Sequence, residues 1–235
     1  MHESTTKFLE KFQKFEKLIK TRSKAGDDTH FIDSAILVAK TNQYLHNQMS
    51  TIRDINALRN VFAHQERNKY IASVSDHVLD VLDQLIVALE NPPIVKDKFG
   101  TKVFQAATDD FIWKVMGEMR QKTFTHVPIW NGNVLVGVFS YSSLFEWLAD
   151  RQSYENQVIT FEKKQILDVN PKYLNSPCVN FKCISESTSI YDISPMFQTA
   201  LNQQKRLDCL LISPNGLKKE KPTGIITSWD LGNIE

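Results

Sequence analysis

Residues 57–65 read ALRNVFAHQ and set Arg59 beside Asn60, with His64 four positions after the asparagine. Those three residue types could cleave RNA without a metal. RNA carries its own nucleophile, the 2′-hydroxyl, so a protein has only to move a proton and hold charge. His64, with an ordinary pKa of about 6.5, suits taking or giving a proton near neutrality, and such a group contributes about 10²–10⁴-fold. Arg59 stays protonated and can grip a phosphate bidentately as charge builds on it. Asn60, about one turn before His64, could orient either group. Arg59 and His64 stand about 140° apart on an ideal helix, five steps of ~100°, so one helix aims them poorly at one phosphate. That geometry favours a site composed by two subunits and sets the expectation of a homodimer. A plain reading also exists: His64 at a helix C-terminus, where the dipole favours its charged form, and Arg59 paired to Asp54 or Glu66. Arg120 and His126 meet the same loose spacing in a chain of seven arginines and six histidines, so spacing alone decides nothing.

A second constellation lies near the end of the chain. LVGVFSYSSL and PTGIITSWDL align Gly137 with Gly224 and Ser140 with Thr227, and place Asp230 where the first copy has Ser143. The alignment implies an internal duplication. Thr-x-x-Asp is itself a helix-capping arrangement. Metal chemistry has no support, because the histidines are scattered and no His-x-x-x-His or Cys-x-x-Cys pair occurs. A glycine-rich phosphate loop is absent, so neither has NTP hydrolysis. Cys178, Cys183 and Cys209 read as core thiols of a reducing compartment.

The elements that must position these residues follow from periodicity. In 235 residues with a formal net charge of +1, no global charge argues for nucleic acid or membrane. Phe8, Phe12, Phe15 and Ile19 form one helical stripe, Ile52, Ile55, Leu58 and Phe62 another, and Val78, Leu82, Leu85 and Leu89 a third. Between them, a helix opened by Asp28 or Thr29 carries Phe31, Ala35, Val38 and Leu45 to one side. Four helices with short connections predict an up-and-down antiparallel bundle, ended by Pro92 and Pro93. Local charge in residues 53–69 and in Lys7, Lys11, Lys14, Lys17 and Lys20 could line a basic cleft for phosphates, or form a solvated outer face.

After the prolines the grammar turns to strands. THVPIWNGNVLVGVFS predicts a hairpin at Asn131-Gly132-Asn133, after a helix bearing Ile112, Val115 and Met119 that Thr108 could cap. STSIYDISPMFQTALNQQ predicts a helix opened by Ser187 or Thr188, with Pro195 forcing a late start or a kink. LDCLLISPNGLKKEKPTGIITSWDLGNI then predicts two more strands joined at a Pro-Asn-Gly turn, leading into a short helix. The amphipathic, charged N-terminus is no signal peptide, and no apolar run approaches ~18 residues, so the expectation is a cytoplasmic protein without a membrane partner.

Two resemblances follow from these residues. LRNVFAH in an all-helical setting, with Asn directly after Arg and an amphipathic helix downstream, resembles the HEPN family over residues 1–93. The resemblance implies a dimeric, metal-independent ribonuclease with Arg59, Asn60 and His64 in its site and single-stranded RNA as substrate. Residues 94–235 resemble a tandem CBS pair, the first motif at about 94–150 and the second at about 160–235. Such pairs commonly bind adenine nucleotides. The resemblance assigns ribose and phosphate binding to Thr227 and Asp230, and to Ser140 and Ser143. A carboxylate can accept from both ribose hydroxyls, whereas Ser143 offers one hydroxyl and no charge, so its cleft should bind more weakly or stay empty. The fold class expected is α plus α/β: a HEPN-like bundle followed by a two-repeat CBS domain. The function expected is a ribonuclease controlled by a regulatory adenine nucleotide (AMP, ADP or ATP), with no required cofactor. The alternative is a non-catalytic nucleotide sensor whose bundle dimerises or binds a partner.

Overall fold

The computed structural model describes residues 3–26, 28–63, 73–152, 161–169, 171–175 and 179–233. His64, Glu66, Arg67, Lys69 and Cys178 lie outside the described residues. The chain forms two compact units. One holds the residues up to Pro93 together with Ser189–Met196, and the other holds Ile94–Thr188 and Phe197–Asn233.

The first unit is helical: α1 (Glu3–Ser23), α2 (Phe31–Ala39), α3 (Gln43–Asn47), α4 (Met49–Ala63) and α5 (Asp76–Glu90). The stripes read from the sequence meet in one core, where Phe8, Phe12, Phe15 and Ile19 of α1 join Phe31, Ile52, Ile55, Phe62, Leu82, Leu85 and Leu89. Each large side chain so buried contributes roughly 1.5–3 kcal/mol. Aromatic edges add to it: the rings of Phe8 and Phe62 stand 5.9 Å apart in a T-shaped pair. The single helix expected over residues 31–45 is two helices. Asn42 is extended, and its side chain accepts the Leu45 N–H at 3.0 Å, which opens α3 as a separate helix. At the start of α2 the cap position belongs to His30, not Asp28 or Thr29, and its side chain makes no capping bond. From the later sequence, the Tyr191 ring stacks on Tyr44 at 5.3 Å, and the Ile190 N–H donates to the Pro93 carbonyl at 2.8 Å.

The second unit opens with α6 (Val95–Phe99) and repeats one plan twice. The first copy runs β1 (Ala106–Ala107), α7 (Ile112–Lys122), β2 (His126–Asn131), β3 (Val134–Ser140) and α8 (Tyr141–Gln152). The second runs β4 (Phe181–Ser185), α9 (Ile193–Asn202), β5 (Cys209–Ser213), β6 (Gly224–Thr227) and a 3-10 turn over Ser228–Asn233. Each copy is a three-stranded sheet whose middle strand pairs parallel with the first and antiparallel with the third. The hairpin turns at Gly132 and Gly216 take positive φ, +59° and +76°.

The glycines aligned by sequence, Gly137 and Gly224, occupy matching registers opposite Ile129 and Ile212. A Cβ at Gly137 would lie 2.3 Å from the Leu174 carbonyl oxygen, and one at Gly224 would lie 2.4 Å from that of Phe99. Each strand therefore carries a glycine at the point where another backbone segment crosses it. On one face of the first sheet, Val127, Ile129 and Phe139 pack with Ile112, Val115, Met119 and Trp147. On the other, Val138 packs with Val179, Cys209 and Leu211 of the second copy.

Two local expectations change. α7 is not capped by Thr108, whose N–H donates to the Trp130 carbonyl at 2.9 Å; Asp110 instead accepts the Ala107 N–H at 2.8 Å and closes the turn before the helix. The chain reaches α9 through a 3-10 turn capped by Ser189, not by Ser187 or Thr188. Pro195 then falls in the first turn of α9, where a missing N–H removes no helical bond. No helix among the described residues is long and apolar enough to cross a membrane.

Candidate functional site

Arg59 lies in the last turn and a half of α4, and among the described residues the carboxylate beside it is Glu16, not Asp54; Glu66 lies outside the described residues. Its guanidinium donates to the Asn60 side-chain oxygen at 3.0 Å, stands 3.9 Å from Glu16 of α1, and sits 5.6 Å from the centre of the Phe12 ring. Asn60 is exposed and Arg59 half-buried. Arg59 and Asn60 are thus brought together, but the guanidinium already has a carboxylate, an amide and a ring beside it. Four of the five lysines in the α1 stripe are similarly engaged. Lys11 pairs with Asp83 and Lys14 with Glu90 at 2.9 Å, both on α5; Lys7 meets Glu3 at 2.6 Å and Lys20 meets Glu16 at 3.4 Å. Pairing of this kind reduces the field available to phosphates, which favours the solvated-face reading of the stripe.

The two capping turns of the second unit are built alike. In the first copy the Ser140 N–H donates to Ser143 Oγ at 3.0 Å, the Ser143 N–H donates to Ser140 Oγ at 3.2 Å, and the two hydroxyls lie 3.2 Å apart. Ser143 Oγ also donates to the Val138 carbonyl at 3.3 Å. Ser140 is 2% exposed and Ser143 0%, so both hydroxyls are spent inside the fold.

In the second copy the Thr227 N–H and hydroxyl both donate to Asp230 Oδ2, at 2.7 and 2.9 Å. Thr227 and Asp230 are half-buried. The second carboxylate oxygen, Oδ1, takes no hydrogen bond among the described residues. An ionised carboxylate has capacity for several donors. The cap uses part of that capacity and leaves the rest on a partly open surface. Trp229, between them in sequence, is 85% exposed.

A polar cluster beside the first turn was not legible in the sequence. Arg206 donates through Nη2 to Ser142 Oγ at 2.9 Å and through Nε to Asp208. The Asp208 side chain is 7% exposed and also accepts the Asn180 N–H at 2.9 Å. His126, which with Arg120 meets the loose Arg/His spacing, pairs with Ser140 across β2 and β3 and lies 2.8 Å, through Nδ1, from the Thr125 hydroxyl. Burial pushes its pKa below the ordinary histidine value; nearby Asp208 works against that shift and Arg206 adds to it. No sequence signal could have found this cluster, because its members sit in separate elements without a fixed spacing.

Of the described cysteines, Cys209 is buried and Cys183 half-buried. Burial raises the pKa of Cys209 strongly and that of Cys183 less, against the thiolate that reactivity requires. No group of three or more metal-ligating side chains occurs among the described residues.

Residues 93–150 match the family model of the CBS domain. A comparison with curated proteins gave no match. Among solved structures, the CBS domain pair of protein MJ0100, determined in complex with 5′-methylthioadenosine and S-adenosyl-L-methionine, is 16% identical, covers 61% of this chain and 95% of its own, and gives a TM-score of 0.44. The CBS-domain containing protein ATU1752 from Agrobacterium tumefaciens is 13% identical, with 60% and 89% covered and a TM-score of 0.42. CBSX2 in complex with AMP is 19% identical, with 60% and 93% covered and a TM-score of 0.40. At these scores the likeness is one of outline. The tandem arrangement rests on the matched residues and on the recurrence of the same strand pairing over residues 181–227.

Proposed function

We propose that this chain is a nucleotide-sensing regulatory protein, in which an adenine nucleotide (AMP, ADP or ATP) binds at the Thr227–Asp230 turn and the helical unit dimerises or docks a partner. The observation that carries the proposal is the uncommitted Asp230 Oδ1 beside a Thr227 whose conformation the other oxygen already fixes. A ribose presents two adjacent hydroxyl donors, and a carboxylate is the side chain suited to accept both. A nucleotide would act as a signal only by binding one arrangement of the protein more tightly than another.

The test is equilibrium binding of AMP, ADP and ATP to wild type and to Asp230→Asn. Asparagine keeps an oxygen for the cap and loses the charge. Hydrogen bonds to a charged group are worth about 1.5–3 kcal/mol, and ~1.4 kcal/mol is tenfold, so affinity should fall tenfold or more. Equal affinity in the two proteins would remove Asp230 from the site.

A second reading, metal-independent RNA cleavage, is retained on one observation: Arg59 and Asn60 stand together at the end of α4, immediately before His64. Cleavage of single-stranded RNA in EDTA, lost in His64→Ala, would support it. Silence of the folded wild-type protein with and without nucleotide would leave the bundle as a docking or dimerisation element.

A further inference from the structure

Two Asn-Gly steps occur in the chain, Asn131-Gly132 and Asn215-Gly216, and each lies in the connection between the second and third strands of a copy. Asparagine is a chemically labile residue, and a following glycine exposes it to its own backbone. With no Cβ to shield it and wide freedom in φ and ψ, the glycine nitrogen can reach the asparagine side-chain carbon. The two steps share residues and differ in surroundings. Asn131, Gly132 and Asn133 are all exposed, and a Cβ at Gly132 would meet nothing within 4 Å. Among the described residues, neither the Asn131 side chain nor the Gly132 N–H makes a hydrogen bond. Asn215 is instead clamped by one carboxylate. Its side-chain N–H donates to Glu220 Oε1 at 2.6 Å, and its backbone N–H donates to Glu220 Oε2 at 2.8 Å. The Gly216 N–H donates to the Ser213 carbonyl at 3.3 Å, and a Cβ at Gly216 would lie 2.8 Å from the Ser185 nitrogen. Nucleophile and target are thus both engaged in the second copy, and among the described residues neither is engaged in the first.

We propose that Asn131 is a site of spontaneous covalent modification, losing its side-chain amide through a cyclic imide formed with the Gly132 nitrogen, and that Glu220 guards Asn215 against the same reaction. Hydroxide from the solvent takes the Gly132 amide proton, and the nitrogen attacks Asn131 Cγ. The bond from Cγ to Nδ2 then breaks, and ammonia leaves with a proton taken from water. Water next adds to either imide carbonyl, giving aspartate from one and isoaspartate from the other. Nothing is oxidised or reduced; the net change is water in and ammonia out. Either product sets a carboxylate at the tip of the β2–β3 hairpin and lowers the formal charge of +1 by one. Isoaspartate also adds a carbon to the main chain at the Asn131–Val134 pair that ends both strands. The inference does not depend on the nucleotide-sensing reading.

The test is incubation of the full chain in mildly alkaline buffer, followed by peptide mapping that separates asparagine, aspartate and isoaspartate. Conversion at Asn131 should be at least about tenfold faster than at Asn215, the factor that one hydrogen bond to a charged group is worth. In Asn131→Gln the product at that position should disappear, and in Glu220→Ala the Asn215 rate should rise about tenfold while the Asn131 rate stays in place. In concentrated urea, where neither turn exists, the two sites of wild type should react at similar rates. Equal rates in the folded chain, or an intact Asn131 beside a converting Asn215, overturn the assignment of Asn131. A gap that persists in urea shows that sequence and not structure sets it, and overturns the inference. An Asn215 as slow in Glu220→Ala as in wild type overturns the guarding role of Glu220.

Discussion

One oxygen atom separates the two equivalent turns. Ser143 and Asp230 perform the same backbone capping, but only the carboxylate keeps an acceptor in reserve. The sequence made that difference visible, because Ser-x-x-Ser against Thr-x-x-Asp can be read directly. It could not show that Ser140 and Ser143 are shut away from solvent. Nor could it bring Glu16 beside Arg59, since that carboxylate arrives from a helix more than forty residues earlier. At this scale His126 makes a pH prediction. Its pKa is lowered by burial, so between that value and the ordinary ~6.5 the unfolded chain binds the extra proton. The stability contributed by neutral His126 is thus present above about pH 6.5 and is lost as pH falls below it. In His126→Gln, denaturant midpoints measured from pH 7.5 to 5 should fall less steeply than in wild type. Parallel curves would assign the acid sensitivity elsewhere.

At the scale of elements, the apolar stripes located α1, α4 and α5, and the turn residues located both hairpins, because burial periodicity and positive-φ turns leave marks in sequence. Helix boundaries were less legible. Asn42 and Ser189 took capping roles that neighbours of similar chemistry could have filled, and the choice depends on packing. The aligned glycines carry a sharper consequence. Gly137→Ala and Gly224→Ala each drive a methyl group into a crossing carbonyl, and overpacking of this kind costs roughly 1–3 kcal/mol. Each should lower the thermal midpoint by several degrees, whereas Gly117→Ala, with open space around its position, should not lower it.

The loop after β5 offers an electrostatic test. Glu220 accepts from the side chain and backbone of Asn215, and from Leu217 and Ser213, and these bonds hold its pKa down to about 2. A depressed carboxyl stabilises the fold above its unfolded value of about 4.3 and loses that contribution as pH falls toward the folded one. Glu220→Gln should therefore remove part of the stability loss between about pH 4.3 and 2. An unchanged acid limb would show that the loop bonds carry no net weight.

For the whole molecule, the division near the two prolines and the duplication after them were both expected from the sequence. The inclusion of Ser189–Met196 in the helical unit was not, because it depends on contacts such as Tyr191 on Tyr44. If an adenine nucleotide binds the folded chain alone, at one hundred times its dissociation constant it adds about 2.7 kcal/mol. A rise in the melting transition should follow in wild type and shrink in Asp230→Asn. The central claim is where the nucleotide sits, and a crystal structure of the full chain at saturating AMP tests it most directly. The account predicts a nucleotide whose ribose hydroxyls meet Asp230 Oδ1, with the Ser140–Ser143 turn unchanged. A nucleotide seated against Ser143 and Arg206 instead, with Asp230 untouched, would contradict it.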